Sequence, residues 1–434
     1  MKITLLTPGT GHFFCGSCLR DSALAKALRA RGHDVFVVPL YLPFVLEEEA
    51  PLLTNQESPR IFLGGVNMFL QQKLPWLGRL PRWLMGGLDS PRLLRWLSRK
   101  SEMTQATELG AMIVSTMRGD QGRQVAEVER LVNWLAAAER PDAICLSNGM
   151  LLGLAPRLRD ALGVPIYCTL QGEAPFLDSL REPFLADAWQ AMRERVGAIE
   201  GFIAVSHYYG QLMGERLDIP AERLHIVQNG IDLEDFEPAA EPASPPVLGY
   251  LARMCADKGL HTLVDAFIEV RERHPDLRLK VVGVMLPEDR RYVEACKQKL
   301  ADAGALQQTS FHANVSREEK LVHLRQFSLF SVPATYGESF GLYLIEALAS
   351  GVPVVQPRHA SFPELIERTD GGLLCKPDDA PDLARTLDQL LSDPERMQGM
   401  GARGRLAVHE HFTVDRMARE VEAIVTGRHG VHTG

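Results

Sequence analysis

The chain has 434 residues, of which 46% are hydrophobic and 24% are charged, as expected for a globular protein of about two domains. Its 47 basic and 55 acidic residues give a formal net charge of −8, which argues against nucleic acid as a bulk partner. The N-terminus has no apolar run of signal-peptide length, no stretch approaches the roughly 18 apolar residues of a membrane span, and the seven cysteines are spread thinly. These features predict a cytoplasmic protein with reduced thiols.

The first half of the chain alternates short apolar runs with helical stretches. Ile3–Thr7 predicts a strand ending in a glycine-bearing loop, Ser17–Arg31 a helix closed by Gly32, and Val35–Pro39 the next strand. Further strands are predicted at Ala143–Leu146, Pro165–Leu170, Phe202–Val205 and Leu224–Val227. This order predicts an open, mostly parallel sheet in a Rossmann-like domain over residues 1–235.

Residues 67–125 break this alternation and predict a helical insertion in the first domain. Within residues 67–100, three tryptophans are interleaved with arginine and lysine. We favour an insertion packed over the ligand cleft of the domain. The alternative is an amphipathic face in peripheral contact with anionic lipid at the inner face of the membrane.

Residues 236–246 are rich in proline and alanine and predict a linker, because proline continues neither a helix nor a central strand. The alternation then resumes over a second Rossmann-like domain, residues 247–408, before a C-terminal helix and tail, residues 409–434, which we expect to return to the first domain. The predicted segments are Val247–Tyr250, Gly259–Arg273, Leu277–Val282, Arg317–Phe327, Leu329–Val332, Gly341–Ser350, Pro353–Gln356, Ser361–Glu367 and Pro381–Leu391. The fold class predicted is α/β, with two mostly parallel sheets facing a central cleft in which ligands bind.

A glycine-bearing loop of the second domain carries two glutamates. Glu338 lies just before a helix predicted to start near Phe340, and Glu346 lies about two turns inside that helix. Free backbone N–H groups at a helix start bind anions, and carboxylates accept hydrogen bonds from paired sugar hydroxyls. Taken alone, Glu338 could be a partner of the helix dipole, and Glu346 could be an exposed helix residue. Two glutamates that bracket such a turn favour a binding site instead.

Two cations follow the first strand of the same domain. Arg253 and Lys258 stand at the carboxyl end of Val247–Tyr250, where a ligand is expected. Fixed cations at this position would neutralise a diphosphate and stabilise it as it leaves. The alternative is that both are solvated loop cations. The anion-binding helix start in the same domain makes that alternative the weaker one.

These residues resemble, in order and spacing, the donor-binding signature of family-4 retaining glycosyltransferases with the GT-B fold. The resemblance covers nearly all of the second domain and the edges of the first. Its motifs are Arg253, Lys258-Gly259, the glutamates Glu338 and Glu346 with seven residues between them, Asn229–Asp232, His359–Glu364 and Gly371–Leu374.

The resemblance implies a hexosyltransferase-type reaction. A sugar moves from a nucleoside-diphosphate sugar to an acceptor hydroxyl with retention of configuration, and no metal or other cofactor takes part. Arg253 and Lys258 would bind the diphosphate, Glu346 would hold the ribose hydroxyls, and Glu338 would contact the transferred sugar near its reacting carbon. The phosphates would lie against the backbone of Ser339, Phe340, Gly341 and Leu342. The acceptor is left open by the sequence, as are the base and the sugar of the donor.

The first domain departs from the family pattern at two places. Cys15-Gly16 stands where the family has two glycines, and Gly16 keeps the small residue that lets the backbone approach the donor. Cys15 and Cys18 form a CxxC motif, for which a redox or zinc role is the weaker alternative. Gln171 stands where the family has a histidine that hydrogen-bonds the donor sugar. His207 is a second candidate, or else it caps the helix that follows.

Other functions remain open. A nucleotide-sugar epimerase or a phosphorylase would use the same fold, although no cofactor lysine of the pyridoxal phosphorylases is evident. A sugar-nucleotide binding protein without catalysis is suggested by Gln171, which cannot titrate near neutral pH. A dinucleotide-dependent dehydrogenase is the weakest alternative, because residues 7–11 lack the spacing of the G-x-G-x-x-G motif.

Overall fold

The computed structural model describes residues 1–8, 16–40, 106–137 and 140–427. The chain divides into two compact units, of which the first comprises Met1–Val227 with Met417–Gly434 and the second Gln228–Arg416. Cys15 and residues 67–105, with the proposed lipid-contacting face at 67–100, lie outside the described residues.

The first unit is built on a six-stranded parallel sheet in the order β2-β1-β3-β4-β5-β6. Its strands are β1 Lys2–Thr7, β2 Asp34–Pro39, β3 Ala143–Leu146, β4 Ile166–Leu170, β5 Gly201–Ala204 and β6 Leu224–Ile226. Its helices are α1 Gly16–Ala30, α2 Ala106–Met117, α3 Val125–Ala137, α4 Ala155–Leu162, α5 Glu173–Asp178, α6 Phe184–Arg193 and α7 His207–Leu217. Strands β3, β4 and β5 are buried at every residue, as expected of parallel strands covered by helices on both faces.

The second unit has its own six-stranded parallel sheet, in the order β12-β11-β10-β7-β8-β9. Its strands are β7 Val247–Leu251, β8 Arg278–Gly283, β9 Thr309–Ala313, β10 Leu329–Phe330, β11 Val354–Pro357 and β12 Gly372–Cys375. Its helices are α8 Leu260–Val270, α9 Arg290–Asp302, α10 Arg317–Arg325, α11 Leu342–Ala349, α12 Phe362–Thr369, α13 Ala380–Leu391 and α14 Pro394–His411, and α15 Val414–Val425 follows.

The order of the second sheet fixes where a ligand can bind. Successive strands run outward from β7 to β9 on one side and from β10 to β12 on the other. The loops that leave the carboxyl ends of β7 and β10 therefore diverge, and ligands of doubly wound sheets bind in the crevice between such loops. Arg253 and Lys258 follow β7, and Glu338 follows β10, so the predicted site residues lie at this switch point.

The predicted parallel α/β architecture is confirmed in both units, with differences at element ends. Strand β9 was not predicted, because Thr309–Ala313 has few apolar residues and is only partly buried at the edge of the sheet. The helix predicted at Gly259–Arg273 is shorter, since Gly259 adopts a left-handed φ of +67° just before it. The helix predicted to start near Phe340 begins at Leu342.

The C-terminal part of the chain is also divided differently from the prediction. In place of a boundary at residue 408, α14 continues to His411, and α15 begins at Val414. Between these helices, Phe412 is fully buried and Thr413 forms a bridge with Ile231. Residues 228–246, including the predicted linker, group with the second unit.

Among the described residues, no helix is both long enough and apolar enough to cross a membrane. Free thiols are present at Cys145, Cys168, Cys255, Cys296 and Cys375, and the first two are buried in β3 and β4. Burial raises the pKa of the Cys145 thiol to about 12, so this thiol is protonated at neutral pH.

Candidate active site

Glu338 is the centre of a buried charge cluster in the second unit. Its Oε2 atom accepts hydrogen bonds from Lys258 Nζ at 2.5 Å, from the Tyr336 hydroxyl at 2.9 Å and from the Tyr343 hydroxyl at 2.8 Å. Only 8% of Glu338 is exposed. Burial alone would raise the pKa of this carboxyl, but the charge of Lys258 and the three hydrogen bonds outweigh it and hold the pKa below its ordinary value. Glu338 is therefore a carboxylate at neutral pH.

The three donors leave the other oxygen of Glu338 available. Oε1 makes no hydrogen bond to any residue in the part of the chain that the structure describes. A carboxylate whose one oxygen is saturated by donors is fixed in orientation, and its second oxygen can accept from a ligand hydroxyl.

Lys258 is held on several sides. It ends a short 3-10 helix, Ala256–Lys258, after β7, and its Nζ lies 4.8 Å and 5.1 Å from the ring centroids of Tyr336 and Tyr343. The Lys258 ammonium also donates to the Tyr336 hydroxyl. The sequence assigned Lys258 and Glu338 separate tasks, whereas the structure places them in one ion pair.

The turn that carries Lys258 requires glycine at the next position. Gly259 has a φ of +67°, and a Cβ atom there would overlap the backbone carbonyl of Pro333. The amide of Thr335 donates to the carbonyl of Asp257 at 2.9 Å, which ties this turn to the loop after β10. The approach of the two loops places Lys258 against Glu338.

We predict that Gly259→Ala lowers stability by about 2–5 kcal/mol, the sum of left-handed strain and overlap with backbone that cannot move aside. The melting temperature by calorimetry measures this loss. Gly304→Ala is the matched control, because Gly304 has a similar φ of +64° but nothing within 4 Å of an added Cβ. Equal losses in the two variants would contradict the prediction.

Arg253 is oriented by two carboxylates that follow β8. Its Nε and Nη2 atoms donate to the two oxygens of Asp289, each at 2.9 Å, and Nη2 also reaches Glu288 at 3.2 Å. The hydrogen bond that Arg253 donates to Asp289 raises the pKa of Arg253 above its ordinary value. Among described residues Nη1 has no hydrogen-bond partner, so this end of the guanidinium can donate to an anion.

Asp289 is itself fixed, which makes it a suitable anchor for Arg253. Only 6% of Asp289 is exposed, and its Oδ2 accepts from the amide of Leu286 at 2.9 Å. Neither Asp289 nor Glu288 was predicted from the sequence. Knowledge that β8 adjoins β7 would have pointed to them, because the carboxyl ends of the two strands meet at one edge.

The turn before α11 connects Glu338 with the start of that helix. Gly341 caps the helix with a φ of +89°, and the first turn of α11 begins at Leu342. Ser361 donates its hydroxyl to the carbonyl of Phe340 at 2.9 Å and its amide to the carbonyl of Glu338 at 3.4 Å. Ser339 and Phe340 are buried in this turn, which presents the backbone amides at the start of α11 for an anion.

Glu346, inside α11, has a different partner from Glu338. Its Oε1 accepts a hydrogen bond from Lys320 Nζ of α10 at 2.8 Å. Lys320 was not predicted as a site residue, because no spacing in the sequence connects it with Glu346. The two glutamates of the predicted motif thus each form an ion pair with a lysine.

Gln171 lies in the first unit, at the carboxyl end of β4. Its side-chain amide donates to the carbonyl of Ser147 at 2.5 Å. The backbone amide of Gln171 donates to the buried carboxylate of Glu173 at 3.0 Å, and Glu173 also accepts from Gly149 N and the Tyr209 hydroxyl. The Gln171 loop is therefore anchored at both its side chain and its backbone.

The other residues predicted in the first unit are placed as follows. Gly16 is the first residue of α1. His207 is the first residue of α7, but the helix is capped by Ser206, whose side chain accepts from the amide of Tyr209 at 3.0 Å. The interpretation of His207 as the cap is therefore wrong, because the serine hydroxyl occupies that position.

The described residues contain no group of three or more histidine, cysteine, aspartate or glutamate side chains that could hold a metal ion. Three cations of the second unit form ion pairs with the carboxylates described above. The distances are 2.5 Å for Lys258, 2.8 Å for Lys320 and 2.9 Å for Arg253.

Most of the chain matches two known protein families. Residues 232–407 match the family described as glycosyl transferases group 1, and residues 110–235 match glycosyltransferase family 4. The first of these ranges includes Arg253, Lys258 and both motif glutamates.

Among curated proteins, the chain is 29% identical over 212 residues to a GDP-mannose-dependent alpha-(1-6)-phosphatidylinositol monomannoside mannosyltransferase of Mycolicibacterium smegmatis, covering 45% of this chain and 53% of that protein. It is 26% identical over 278 residues to a glycogen synthase of Mycobacterium tuberculosis, covering 62% and 64%. The matched region is thus about half to two thirds of the length of these relatives.

Among solved structures, the chain resembles sucrose-phosphate synthase from Thermosynechococcus elongatus, with a TM-score of 0.71, 20% identity and coverage of 99% of both chains. It also resembles HepE of Anabaena in complex with UDP-glucose, with a TM-score of 0.68, 17% identity and coverage of 98% of this chain and 100% of that one. These likenesses confirm the predicted fold class.

Proposed function

We propose that this chain, which belongs to the family-4 glycosyltransferases of the GT-B fold, transfers a sugar from a nucleoside-diphosphate sugar to an acceptor hydroxyl with retention of configuration. The observation that carries the proposal is the switch point of the second unit. There Lys258, the Nη1 atom of Arg253 and the start of α11 supply positive charge in the same unit as the buried carboxylate of Glu338.

The proposed role of the cations follows from the charge that develops during transfer. As the bond between the anomeric carbon and the β-phosphate oxygen breaks, negative charge grows on the leaving diphosphate. Lys258 and Arg253 Nη1 would stabilise that charge without a metal ion. Their own carboxylate partners fix them in place beforehand, so that little reorganisation is needed at the moment of reaction.

Glu338 is suited to the transferred sugar because it is ionised and oriented. Its Oε1 would accept a hydrogen bond from a hydroxyl of the sugar, which places the anomeric carbon for attack. The acceptor oxygen would bond to that carbon on the face that the diphosphate leaves. Bonding on that face would retain the configuration. The acceptor proton would pass to the departing phosphate oxygen, which balances the step.

The donor base is not defined by these residues. One similar protein is named as GDP-mannose-dependent and one solved structure contains UDP-glucose, so both purine and pyrimidine donors are candidates for this chain. A thermal-shift screen of UDP-, GDP- and ADP-sugars identifies the donor, because a ligand that binds the folded state raises the melting temperature.

We expect transfer from the donor so identified to proceed in the presence of EDTA and to give a product whose anomeric configuration, read by nuclear magnetic resonance, equals that of the donor. An inverted product would overturn retention, and full loss of transfer in EDTA would overturn metal independence.

Incubation of donor alone tests the competing assignment: conversion to an epimer without an acceptor would identify an epimerase.

A further inference from the structure

The two motif glutamates share an unusual arrangement, in which a lysine occupies one carboxylate oxygen and the other oxygen is left open. For Glu346 the occupied atom is Oε1, which lies 2.8 Å from Lys320 Nζ. Within the described ranges Oε2 of Glu346 makes no hydrogen bond, as holds for Oε1 of Glu338. The side chains of Lys320 and Glu346 are only 20% and 15% exposed.

Lys320 is itself held firmly enough to orient its partner. It lies in the first turn of α10, which is fixed by a reciprocal cap: Ser316 Oγ accepts from the amide of Glu319 at 3.2 Å, and the Glu319 carboxylate accepts from the amide of Ser316 at 2.8 Å. The Lys320 ammonium also lies 5.9 Å from the ring centroid of Phe236, a buried residue. A short helix fixed at its start and a packed side chain restrict the positions that Nζ can take.

A carboxylate held at one oxygen cannot rotate about its terminal bond without breaking the ion pair. This restriction prepares Oε2 to accept a hydrogen bond from a ligand hydroxyl. A preorganised acceptor adds more to the affinity for a ligand with a hydroxyl than a mobile acceptor does. It therefore also discriminates more strongly against a ligand that lacks the hydroxyl.

We propose that Lys320 is a positioning residue for nucleotide recognition, which fixes Glu346 so that Oε2 accepts from a ribose hydroxyl and thereby sets a preference for ribonucleotides over deoxyribonucleotides. The proposal rests on the proposed function, in which Glu346 contacts the ribose of the donor. Lys320 acts through Glu346 and does not take part in the transfer itself.

The test is calorimetric titration of wild type and Lys320→Met with UDP, GDP and ADP and with their 2′-deoxy and 3′-deoxy counterparts. A hydrogen bond to a charged acceptor is worth about tenfold or more in affinity, so we expect wild type to prefer the ribonucleotide by about that factor over at least one deoxy form. In Lys320→Met the preference should fall to about twofold or less, while Lys320→Arg should restore most of it.

A kinetic readout separates positioning from a merely structural role. In Lys320→Met the donor KM should rise about tenfold and kcat at saturating donor should change by less than about threefold, because binding and not chemistry is affected. Lys376→Met is the matched control, since Lys376 forms a surface ion pair with Asp379 at 3.0 Å and is 73% exposed. It should behave as wild type in both assays.

The outcomes are distinguishable. An undiminished ribonucleotide preference in Lys320→Met, or a wild type that shows no such preference, would overturn the inference and leave the proposed function intact. Failure of wild type to bind any of the nucleoside diphosphates would overturn both. If Lys320→Met does not fold, Glu346→Gln replaces it: retention of the full preference by that variant would also overturn the inference.

Discussion

Replacing Lys258 by methionine is expected to lower kcat/KM for transfer by about 10²–10³-fold, the usual cost of removing one fixed charge from the group that stabilises a developing anion. The loss should be mainly in kcat, because the leaving diphosphate carries more negative charge in the transition state than in the bound donor. Initial rates of transfer, or of donor hydrolysis when no acceptor is present, measure the effect.

Two variants control this experiment. Lys376→Met makes the same substitution at an exposed surface pair and should retain full activity. Lys258→Arg keeps the charge but changes its shape, so it should recover part of the rate and not all of it. Transfer at the wild-type rate by Lys258→Met would show that Lys258 does not stabilise the leaving group.

The sequence predicted a candidate site in the second unit because its motifs follow strand ends. Arg253 and Lys258 come after one apolar run and Glu338 after another, and parallel strands deliver such residues to the same edge of the sheet. What the sequence did not contain was the strand order. Only the order places β7 beside β10 and so brings Lys258 against Glu338.

The ion-pair partners Asp289 and Lys320 were not predicted for the same reason, because their contacts depend on the arrangement of the elements in space. Asp289 is 36 residues from Arg253, and Lys320 is 26 residues from Glu346, distances at which no periodicity operates. The first pair arises because β8 adjoins β7, and the second because the Lys320 side chain of α10 reaches Glu346 of α11. Tyr343 was inside the predicted motif, but nothing in the sequence indicated that its hydroxyl donates to Glu338.

Replacing Glu338 by glutamine is expected to lower transfer by about 10²–10³-fold and to lower stability at neutral pH by about 3 kcal/mol. The stability loss arises because Lys258, only 18% exposed at its side chain, is left without its anion. Melting temperatures by calorimetry and initial rates measure the two effects separately.

The pH dependence of this loss has a defined sign. The folded-state pKa of Glu338 is below its ordinary value, so the stabilisation by the ion pair is complete at neutral pH and is lost as pH falls through the folded pKa. The difference in melting temperature between wild type and Glu338→Gln should therefore be constant near neutrality and shrink in acid. A difference that grows on acidification would contradict the assignment of Glu338 as an ionised partner.

A double variant, Lys258→Met with Glu338→Gln, separates the structural role of this pair from its catalytic one. Removing both charges leaves no uncompensated ion in the cluster, so the double variant should be more stable than the sum of the two single losses predicts, by about 1–3 kcal/mol. Transfer should stay at least as low as in the slower single variant, because neither stability nor packing replaces the missing charge at the leaving diphosphate. If the double variant instead regained both stability and transfer, the pair would serve only to hold the two loops together, and the charge that stabilises the diphosphate would have to come from Arg253 and the start of α11 alone.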